Sequence, residues 1–551
     1  MAIPFDEYPR PQLRRDSFLC LNGEWDFAVS DKKEPPKSFT EKILVPFPCE
    51  SEASGICRRI GRNEYMIYRR SVIPPSDWDG KRVILHFGAV DQAAEVYWNG
   101  RLLGTNIGGF LPFSFEVTDD IREENDLTVI AADPLDRHEA WGKQKRKNGG
   151  MWYTPFSGIW QTVWMEAVPK EHITALKLLP ALSSVRITVE STDSAPTTVI
   201  VKTPDGDITE TFFGGITLPI PNPVLWTPET PHLYPFTLIH GEDRAESYFA
   251  LRTVEAGEVN GVPRILLNGK PCFFHALLDQ GYWPGGLCLP ASPKGYETDI
   301  LLAKSLGFNT LRKHIRIEPL SFYAACDRLG MLVMQDFVNH GHYSFLRDTA
   351  LPTVGLKRLP NALLLRTKRT KERFLRTMEG TVRHLYNHPC IVYWTVFNEG
   401  WGQFDADGCY ERLRENDKSR IIDTASGWFK NKKSDVESEH VYFRPYRFKK
   451  SRLPVVLSEF GGYGCSSGGK QYGYRFFADR KAYQNAVLRL YETEVLPAVS
   501  LGLCGAVYTQ LSDVEEEQNG VFSFDRAECK LPKEDMSALA RRLQEGVASP
   551  V

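Results

Sequence analysis

Two glutamates, each at the end of an apolar run, are the residues of this sequence best suited to acid–base chemistry. Glu399 ends the stretch Ile-Val-Tyr-Trp-Thr-Val-Phe-Asn-Glu, and Glu459 ends Pro-Val-Val-Leu-Ser-Glu. Runs of β-branched and apolar residues predict buried strands, so both carboxylates are expected where a parallel strand meets its following loop. Catalytic groups of barrel enzymes lie at that end of the strands. One such acid is equally typical of an ion pair or a helix cap, whereas two on different strands of one barrel favour chemistry.

Two carboxyl groups that face each other across the mouth of a barrel can cleave a glycosidic bond. In the retaining mechanism one acid protonates the leaving oxygen, and a carboxylate about 5 Å away attacks the anomeric carbon. We predict Glu399 as the acid/base and Glu459 as the nucleophile. The roles separate by environment, because an acid beside an anion keeps its proton while a carboxylate held by polar donors stays ionised.

Polar residues near the predicted strand ends are candidates for holding these acids or the sugar. Asn398 is suited to donating its amide to the sugar's 2-hydroxyl, with a strand-end turn as the alternative. Arg312 could keep Glu459 ionised, or form a structural ion pair. His440 and Tyr442 alternate on one strand and so share a face. If that face is the mouth of the barrel, we expect Tyr442 to bond Glu459 and His440 to line the pocket. If the register of the strand differs by one residue, both are packing residues instead.

Other chemical signals are weaker. The run from Asp336 to His342 contains metal-ligating residue types without a defining spacing, so we predict no metal site and no cofactor, and keep Asp336 as a candidate substrate-binding residue. The glycine-rich loop 461–469 matches no phosphate-binding spacing and is predicted to be a flexible rim. Aromatic residues make up 12% of the chain, which suits stacking against sugar rings. Trp428 and Tyr508 are further candidates for contact with the substrate.

Composition excludes several classes of protein. A net charge of −2 gives no field that would attract nucleic acid or anionic lipid, and the sequence contains no apolar window long enough to span a membrane. The start lacks the pattern of a secretory signal, and eleven cysteines occur singly without zinc-ligand spacing. We therefore predict a cytoplasmic protein that binds neither nucleic acid nor membrane, with a homo-oligomer left open. The basic stretches Lys143–Lys147 and Arg444–Lys450 are predicted to be solvated loops.

The 551 residues divide into three regions by their periodicity. Residues 1–170 alternate in short strands around an Asn99-Gly100 hairpin signal and predict an antiparallel β-sandwich. Residues 171–254 predict an immunoglobulin-like sandwich. Residues 255–551 change to strand, loop and helix, and their eight alternations predict a (β/α)8 barrel. The predicted barrel strands are 272–278, 309–314, 331–336, 391–398, 421–425, 440–443, 455–458 and 505–511. The predicted helices include 299–306, 320–329, 361–387 and 480–496.

Seven motifs occur in order along the chain, and together they resemble glycoside hydrolase family two, the group of β-galactosidases, β-glucuronidases and β-mannosidases. The resemblance covers nearly the whole length. It implies a sugar-binding-type jelly roll, an immunoglobulin-like sandwich and a catalytic TIM barrel, with retaining chemistry by Glu399 and Glu459. It also implies that a loop of the first domain enters the active site, where Trp152 would wall the sugar subsite. The motifs are 21–27 (LNGEWDF), 157–164 (SGIWQTVW), 267–271 (LNGKP), 387–391 (NHPCI), 398–399 (NE), 458–461 (SEFG) and 509–515 (TQLSDVE) with Asn519-Gly520.

The predicted activity is that of an exo-β-glycosidase that removes terminal β-linked sugars, with β-galactosidase as the first prediction. β-Mannosidase, β-glucuronidase and β-galacturonidase are the alternatives. Gly149 and Gly150 stand where several relatives carry an aspartate that holds sugar hydroxyls, and 519–526 lacks the N-x-K pattern of glucuronidases. Arg444 and Arg447 could meet an acidic sugar by another route. A catalytically inactive carbohydrate-binding protein is the alternative of another class, and retention of both glutamates argues against it.

Overall fold

The structure is a computed structural model that describes residues 3–351, 366–427, 431–465 and 471–548. Two antiparallel β-sandwiches come first in the chain, and an eight-stranded parallel barrel follows them. The predicted fold class is therefore confirmed. Among the described residues, no helix has the length and apolar character needed to span a bilayer.

The first sandwich packs a six-stranded sheet (order β3-β2-β4-β10-β7-β8) against a four-stranded sheet (order β1-β12-β5-β9). Both sheets turn alternate apolar side chains toward one shared core. The predicted Asn99-Gly100 turn joins β7 to β8, and Trp98 pairs with Arg101 across it. Both turn residues have positive φ, at +52° and +80°, as this two-residue hairpin requires. The strands are β1 Phe18–Cys20, β2 Gly23–Ser30, β3 Glu41–Val45, β4 Tyr65–Val72, β5 Arg82–Phe87, β6 Val90–Asp91, β7 Ala93–Trp98, β8 Arg101–Ile107, β9 Phe113–Glu116, β10 Asn125–Ala132, β11 Gly158–Ile159 and β12 Val163–Val168.

The second sandwich consists of a three-stranded sheet (β13-β14-β17) and a four-stranded sheet (β16-β15-β18-β19) around a separate apolar core. A small antiparallel sheet, β20 to β22, then leads the chain into the barrel. These strands are β13 Ile173–Pro180, β14 Ser184–Ser191, β15 Thr197–Thr203, β16 Gly206–Phe212, β17 Gly215–Pro219, β18 Tyr234–His240, β19 Asp243–Phe249, β20 Val254–Val259, β21 Val262–Leu267 and β22 Lys270–Pro271.

The barrel contains all eight predicted strands, and they run parallel in the order β27-β26-β25-β24-β23-β32-β29-β28. The sixth strand begins three residues earlier than predicted and ends at Val441, so Tyr442 lies just beyond it. Buried strands of this kind are apolar on both faces, which is why they read as continuous hydrophobic runs. The barrel strands are β23 Phe274–Asp279, β24 Thr310–Lys313, β25 Leu332–Asp336, β26 Ile391–Asn398, β27 Ile421–Ser426, β28 Glu437–Val441, β29 Val455–Gly461 and β32 Leu503–Thr509, with β30 Tyr463–Cys465 and β31 Arg475–Phe477 as a small outer pair.

Helices alternate with these strands in the described part of the barrel. The helix predicted at 320–329 has those bounds, and the one predicted at 480–496 continues through a π-helical turn, Tyr491–Val495, into a further helix. Of the long helix predicted at 361–387, residues 361–365 lie outside the described residues. The helices are α1 Lys294–Ser305, α2 Leu320–Leu329, α3 Lys368–Leu385, α4 Ala406–Asn416, α5 Arg480–Leu490, α6 Leu496–Leu501 and α7 Lys533–Ala548.

A loop of the first sandwich is bound to the mouth of the barrel by backbone hydrogen bonds. The backbone N–H groups of Trp141 and Gly142 both donate to the carbonyl of Asn339, at 2.7 and 3.0 Å. The Trp141 ring lies so close to Gly341 that a Cβ there would be 1.2 Å from the ring, so only glycine fits. This contact places Lys143, the next residue of the loop, beside the catalytic end of the barrel.

Candidate active site

Glu399 and Glu459 converge on one histidine at the carboxyl end of the barrel strands. Glu399 follows β26 and Glu459 lies on β29. Nδ1 of His440, on the neighbouring strand β28, lies 2.9 Å from Oε1 of Glu399 and 3.5 Å from Oε2 of Glu459. One carboxylate oxygen of each glutamate and a ring nitrogen of His440 all lie within 4.8 Å of one another. The two acids can therefore reach the same atom of a bound molecule.

The surroundings of Glu459 favour its ionised form. Nη1 of Arg312 donates to Oε1 at 2.9 Å, and the hydroxyl of Tyr442 donates to Oε2. Burial by itself raises the pKa of Glu459, but the charges of His440 and Arg312 outweigh burial and lower the pKa to about 2. Glu459 is thus an anion across the whole neutral range, as a nucleophile must be.

The surroundings of Glu399 differ, because its carboxyl has a hydrogen bond from His440 alone among the described residues. Burial raises the pKa of Glu399; the hydrogen bond from His440 opposes that rise, and the charge of Glu459 adds to it. The backbone of Glu399 has a φ of +49°, which costs an L-residue about 1–2 kcal/mol. Unusual backbone angles of this kind cluster at functional sites. Of the two acids, Glu399 therefore holds its proton more tightly.

Arg312 connects the groups beneath the two acids. Its Nη2 donates to Oδ1 of Asn398 at 2.9 Å and to Oγ of Ser426 at 3.0 Å. The Ser426 hydroxyl also donates to Oδ1 of Asn398, at 3.1 Å. Both bonds use the amide oxygen of Asn398, and its NH2 group makes no hydrogen bond to the described residues. Asn398 is therefore oriented with its donor free for a ligand, next to Glu399.

Asp336 and Arg312 lie below the site rather than on its surface. Both side chains are fully buried, and Asp336 accepts hydrogen bonds from Arg312 Nε at 3.0 Å and His314 Nδ1 at 2.8 Å. Although burial raises the pKa of Asp336, these two neighbours lower it to about 2. The prediction that Asp336 contacts the substrate is corrected, because both of its carboxylate oxygens are already paired away from solvent. Arg312 bonds Glu459, which is one of the two roles that the sequence suggested for it, rather than contacting a substrate. They position the residues above them.

Two aromatic predictions have different outcomes. Tyr508 lies on β32, and its neighbour Thr509 accepts a hydrogen bond from, or donates one to, Tyr442 in the mouth. Alternation along a strand therefore points Tyr508 the other way, where its ring packs against Phe460 and Tyr491 between barrel and helices. The assignment of Tyr508 to substrate binding is corrected for this reason. Trp428 lies outside the described residues.

The jelly-roll loop contributes Trp152 to the mouth. Its ring stacks on Trp401, two residues after Glu399, with centroids 5.4 Å apart, and meets Tyr343 edge-on at 5.1 Å. Lys143 of the same loop is half-buried, and its Nζ lies 5.6 Å from the centre of the Tyr153 ring. It forms no ion pair with the described residues. The interpretation of Lys143 as part of a solvated stretch is thus corrected, because its side chain is half-buried against Tyr153. Its charge opposes part of the rise in the pKa of Glu399.

The metal-ligating residue types suggested by the sequence do not converge. Asp336 is paired with Arg312 and His314, whereas His340 bonds the Gly402 carbonyl at 2.9 Å. Within the described ranges, the group that could hold an ion by geometry is instead Glu399, His440 and Glu459. The guanidinium of Arg312 already supplies a positive charge to Glu459.

Several residues of the site gave no usable signal in the sequence. Ser426 ends strand β27 and bonds both Arg312 and Asn398, but a serine at a strand end is common. Tyr474 stacks on Tyr442 with ring centres 3.6 Å apart, although 32 residues separate them. His314 is the exception: it follows Arg312 by two positions, just after β24, so continued alternation could have suggested that the two side chains share a face.

Family models match three successive stretches of the chain. The galactose-binding domain-like model of glycosyl hydrolase family 2 matches residues 41–171, a second model of that family matches 177–252, and its TIM barrel domain matches 263–526. The chain belongs to glycosyl hydrolase family 2. This membership agrees with the resemblance found in the motifs.

Named relatives of this family 2 chain include two bacterial enzymes. It is 26% identical to a β-galactosidase of Thermoanaerobacter pseudethanolicus over 61% of this chain and 45% of the relative. It is 24% identical to the β-galactosidase large subunit of Leuconostoc lactis over 75% of this chain and 66% of the relative. The chain thus spans about half to two thirds of the length of these curated relatives.

Solved structures resemble this family 2 chain over its full length. A β-D-glucuronidase of Dictyoglomus thermophilum has a TM-score of 0.75 at 21% identity, and the match covers 97% of this chain and 98% of the glucuronidase chain. A β-galacturonidase of Eisenbergiella tayi has a TM-score of 0.71 at 19% identity, and the match covers 96% of this chain and 97% of the galacturonidase chain. At these identities the likeness supports the fold.

Proposed function

We propose that this protein is a retaining exo-β-glycosidase in which Glu459 is the nucleophile and Glu399 the acid/base. The observation that carries the proposal is the placement of one oxygen of each carboxyl group and the His440 ring nitrogen within 4.8 Å of one another. Retaining enzymes hold their carboxyl groups about 5–5.5 Å apart, while inverting enzymes leave roughly 6.5–9.5 Å for a water. The opposite directions of the two pKa shifts supply the separate roles.

In the first step, Glu459 attacks the anomeric carbon and Glu399 gives its proton to the leaving oxygen. The C–O bond to the aglycone breaks as the ester bond to Glu459 forms, which removes the negative charge of Glu459. Asn398 is oriented to donate its NH2 to the 2-hydroxyl, a contact that strengthens in the transition state.

In the second step, water attacks the anomeric carbon and releases Glu459 as a carboxylate. Glu399, now ionised and no longer beside an anion, accepts the proton of that water. Because it has lost a charged neighbour, its pKa is lower in the intermediate than in the free enzyme. As Glu459 becomes negatively charged again, the guanidinium of Arg312 and the hydroxyl of Tyr442 stabilise that charge through their hydrogen bonds to its carboxylate.

We propose a β-galactoside as the first substrate to test, on the names of the curated relatives. A β-hexuronide is the second candidate, because Lys143 brings an ammonium group without an ion-pair partner among the described residues to the mouth. Such a group would attract the carboxylate of an acidic sugar. The cytoplasmic location remains part of the proposal, and all eleven cysteines are free thiols in the structure.

Nitrophenyl β-glycosides of galactose, mannose, glucuronic acid and galacturonic acid test the activity. One of them should release nitrophenol, and Glu459→Ala should abolish release and yield a glycosyl azide when azide is added. Glu439→Ala is the matched control, since Glu439 lies beside His440 on β28 and its charge acts on Tyr446, a residue with no contact to Glu399 or Glu459. NMR should show the β-anomer as the first product. Formation of the α-anomer, or sugar binding without any release, would favour an inverting enzyme or an inactive binding protein.

A further inference from the structure

Carboxyl groups of the first sandwich hold both ends of the loop that reaches the mouth of the barrel. We call this loop, residues 143–157, the mouth loop. Near its start, Nε2 of Gln144 donates to Oδ2 of Asp91 at 2.9 Å. Its last residue, Ser157, bonds a second acid, Glu50, through its backbone N–H at 3.0 Å and its hydroxyl at 2.7 Å. The position of the loop therefore depends on the state of these acids.

The hydroxyl of Ser157 lies between two carboxyl groups. Its Oγ is 2.7 Å from Oε1 of Glu50 and 2.9 Å from Oδ2 of Asp133, and both distances are those of hydrogen bonds. A serine hydroxyl has one proton to donate, and an ionised carboxylate has none. Because one proton cannot serve both contacts, a second proton must lie on Glu50 or Asp133 and be donated to Oγ. The geometry thus requires one of these two acids to be protonated.

The charges around this group also favour protonation. Asp91 and Asp133 are each 1% exposed, and Glu50 is half-buried. Burying a charge without an opposite charge is costly. The positive charge that acts on Asp133 is that of Arg146, whose Nη2 donates to the Asp133 carbonyl at 2.6 Å. One guanidinium cannot balance three carboxylates, so the group retains protons near neutral pH.

Burial sets the pH at which the proton of Glu50 is lost. Burial raises the pKa of Glu50 to about 7; the hydrogen bonds from Ser157 oppose that rise, and the charge of Asp133 adds to it. Burial, together with the charge of Asp133, raises the pKa of Asp91 well above its usual range. Because the pKa of Glu50 is raised in the folded chain, its proton stabilises the fold fully at acidic pH. This stabilisation is lost as the pH rises through about 7.

The thiols of Cys49 and Cys288 and the hydroxyl of Tyr68 also face Glu50, and they stay neutral across this range. Sγ of Cys49 lies 3.4 Å from Oε2 of Glu50. Burial raises the pKa of Cys49 and of Tyr68 well above their usual ranges, and it raises the pKa of Cys288, on the barrel side, to about 12. Among the described residues, a change at this place near pH 7 therefore belongs to the carboxyl groups.

We propose that a proton shared among Glu50, Ser157 and Asp133 fixes the mouth loop against the barrel, and that loss of this proton above neutral pH releases the loop. Release moves Lys143 and Trp152 away from the catalytic carboxyl groups, so the shape of the mouth depends on pH. The three residues that share the proton are positioning residues, because they act through the loop. The proposal goes beyond the proposed hydrolysis, since the placement of the loop can be measured whether or not a sugar is cleaved.

The fluorine NMR signal of Trp152, in the full chain labelled with fluorotryptophan, reports on the mouth loop. Its loss in Trp152→Phe assigns the signal. Every chain also carries Glu399→Gln, which removes the titration of the catalytic acid and makes the test independent of activity. With Glu50 intact, the signal should shift with pH in one transition with a midpoint of about 7.

Glu50→Gln replaces the acid by an uncharged amide of the same shape, so the Trp152 signal should stay at its low-pH position throughout. Glu52→Gln, the same change at an exposed glutamate two residues away, should titrate like the parent chain. Asp133→Asn removes the charge that raises the pKa of Glu50 and frees the Ser157 hydroxyl to donate to ionised Glu50. Its midpoint should therefore move to lower pH.

Trypsin measures release of the loop in a second way, because Lys145 and Lys147 of the mouth loop are exposed. At alkaline pH, trypsin should cut the parent chain after these lysines roughly tenfold faster than Glu50→Gln, since cleavage follows the population of the open loop. Equal rates would contradict release. A Trp152 signal without a transition near neutral pH, a transition that persists in Glu50→Gln, or an unmoved midpoint in Asp133→Asn would overturn the proposal.

Discussion

Nη1 of Arg312 donates to Oε1 of Glu459 at 2.9 Å, and both side chains are almost completely buried. Hydrogen bonds between charged groups are about twice as strong as neutral ones, and burial removes competing water. The guanidinium therefore stabilises the anionic form of Glu459. The same guanidinium bonds Asp336 at 3.0 Å, so the ionisation of Glu459 and the pairing of Asp336 depend on one side chain.

Replacing Arg312 by methionine should lower kcat/KM by about a hundredfold or more, the usual cost of losing a preorganised charged donor. It should also move the acid limb of the pH–rate profile upward, because the pKa of Glu459 rises when the cation is lost. The profile of kcat/KM against pH measures both effects. An unchanged acid limb would show that Arg312 does not control Glu459.

The same substitution leaves Asp336 as a buried, partly unpaired anion, which should cost about 3–5 kcal/mol in the free energy of unfolding. Adding Asp336→Asn should restore much of that stability without restoring activity. Denaturant unfolding of the single and double variants separates the two effects. Recovery of activity in the double variant would mean that Arg312→Met acts only through stability.

Tyr442→Phe removes the hydroxyl that donates to Oε2 of Glu459. We expect kcat to fall about ten- to a hundredfold and the acid limb to move upward, because a donor to the charged form is lost. Tyr474→Phe is the matched control: it keeps the ring stacked on Tyr442 and leaves the Glu459 contact in place. Equal effects of the two changes on the acid limb would contradict a specific role for the Tyr442 hydroxyl.

Lys143→Met should move the alkaline limb of kcat/KM to higher pH. The charge of Lys143 stabilises the ionised form of Glu399, so removing it raises the pKa of that acid and extends its protonated range. Lys147→Met, an exposed lysine of the same stretch, should leave the profile unchanged. If the substrate is a hexuronide, KM should rise in Lys143→Met only. A downward shift of the limb would refute the placement of Lys143.

Trp152→Ala should raise KM several-fold while kcat changes little. An aromatic contact is worth about 0.5–1.5 kcal/mol beyond its buried area, and Trp152 stacks on Trp401 beside Glu399. Phe213→Ala removes an aromatic ring of the second sandwich that is 72% exposed and should leave both constants unchanged. A fall in kcat with KM unchanged would mean that Trp152 stabilises the transition state rather than the bound substrate.

Periodicity along the sequence was sufficient for most of the fold. The runs ending at Glu399 and Glu459 have the apolar composition of strands buried on both faces, and the Asn99-Gly100 turn needs residues that tolerate positive φ. Both signals depend only on neighbouring residues, so they can be recognised without knowledge of the rest of the fold. The boundaries 1–170, 171–254 and 255–551 stay a prediction.

Side-chain direction was harder to predict than strand position. A candidate such as Tyr508 was named for its aromatic ring, yet the alternation of β32 turns it toward the helices while Thr509 faces the mouth. For Lys143 the prediction failed in the opposite direction. A lysine in a basic stretch is usually solvated, but the hydrogen bonds of its loop to Asn339 bring Lys143 to the mouth of the barrel.

The sequence by itself determined the order of the sheets, the positions of the two candidate acids and the family, because each depends on short patterns of residue type. The sequence also named Arg312, Tyr442 and His440 as candidate partners of those acids, but only the tertiary structure decided between that role and a packing or structural ion-pair role. Arg312 reaches Glu459 from β24, whereas His440 and Tyr442 reach it from β28 and the residue just beyond that strand. A protonation state thus depends on distances between groups far apart in the chain.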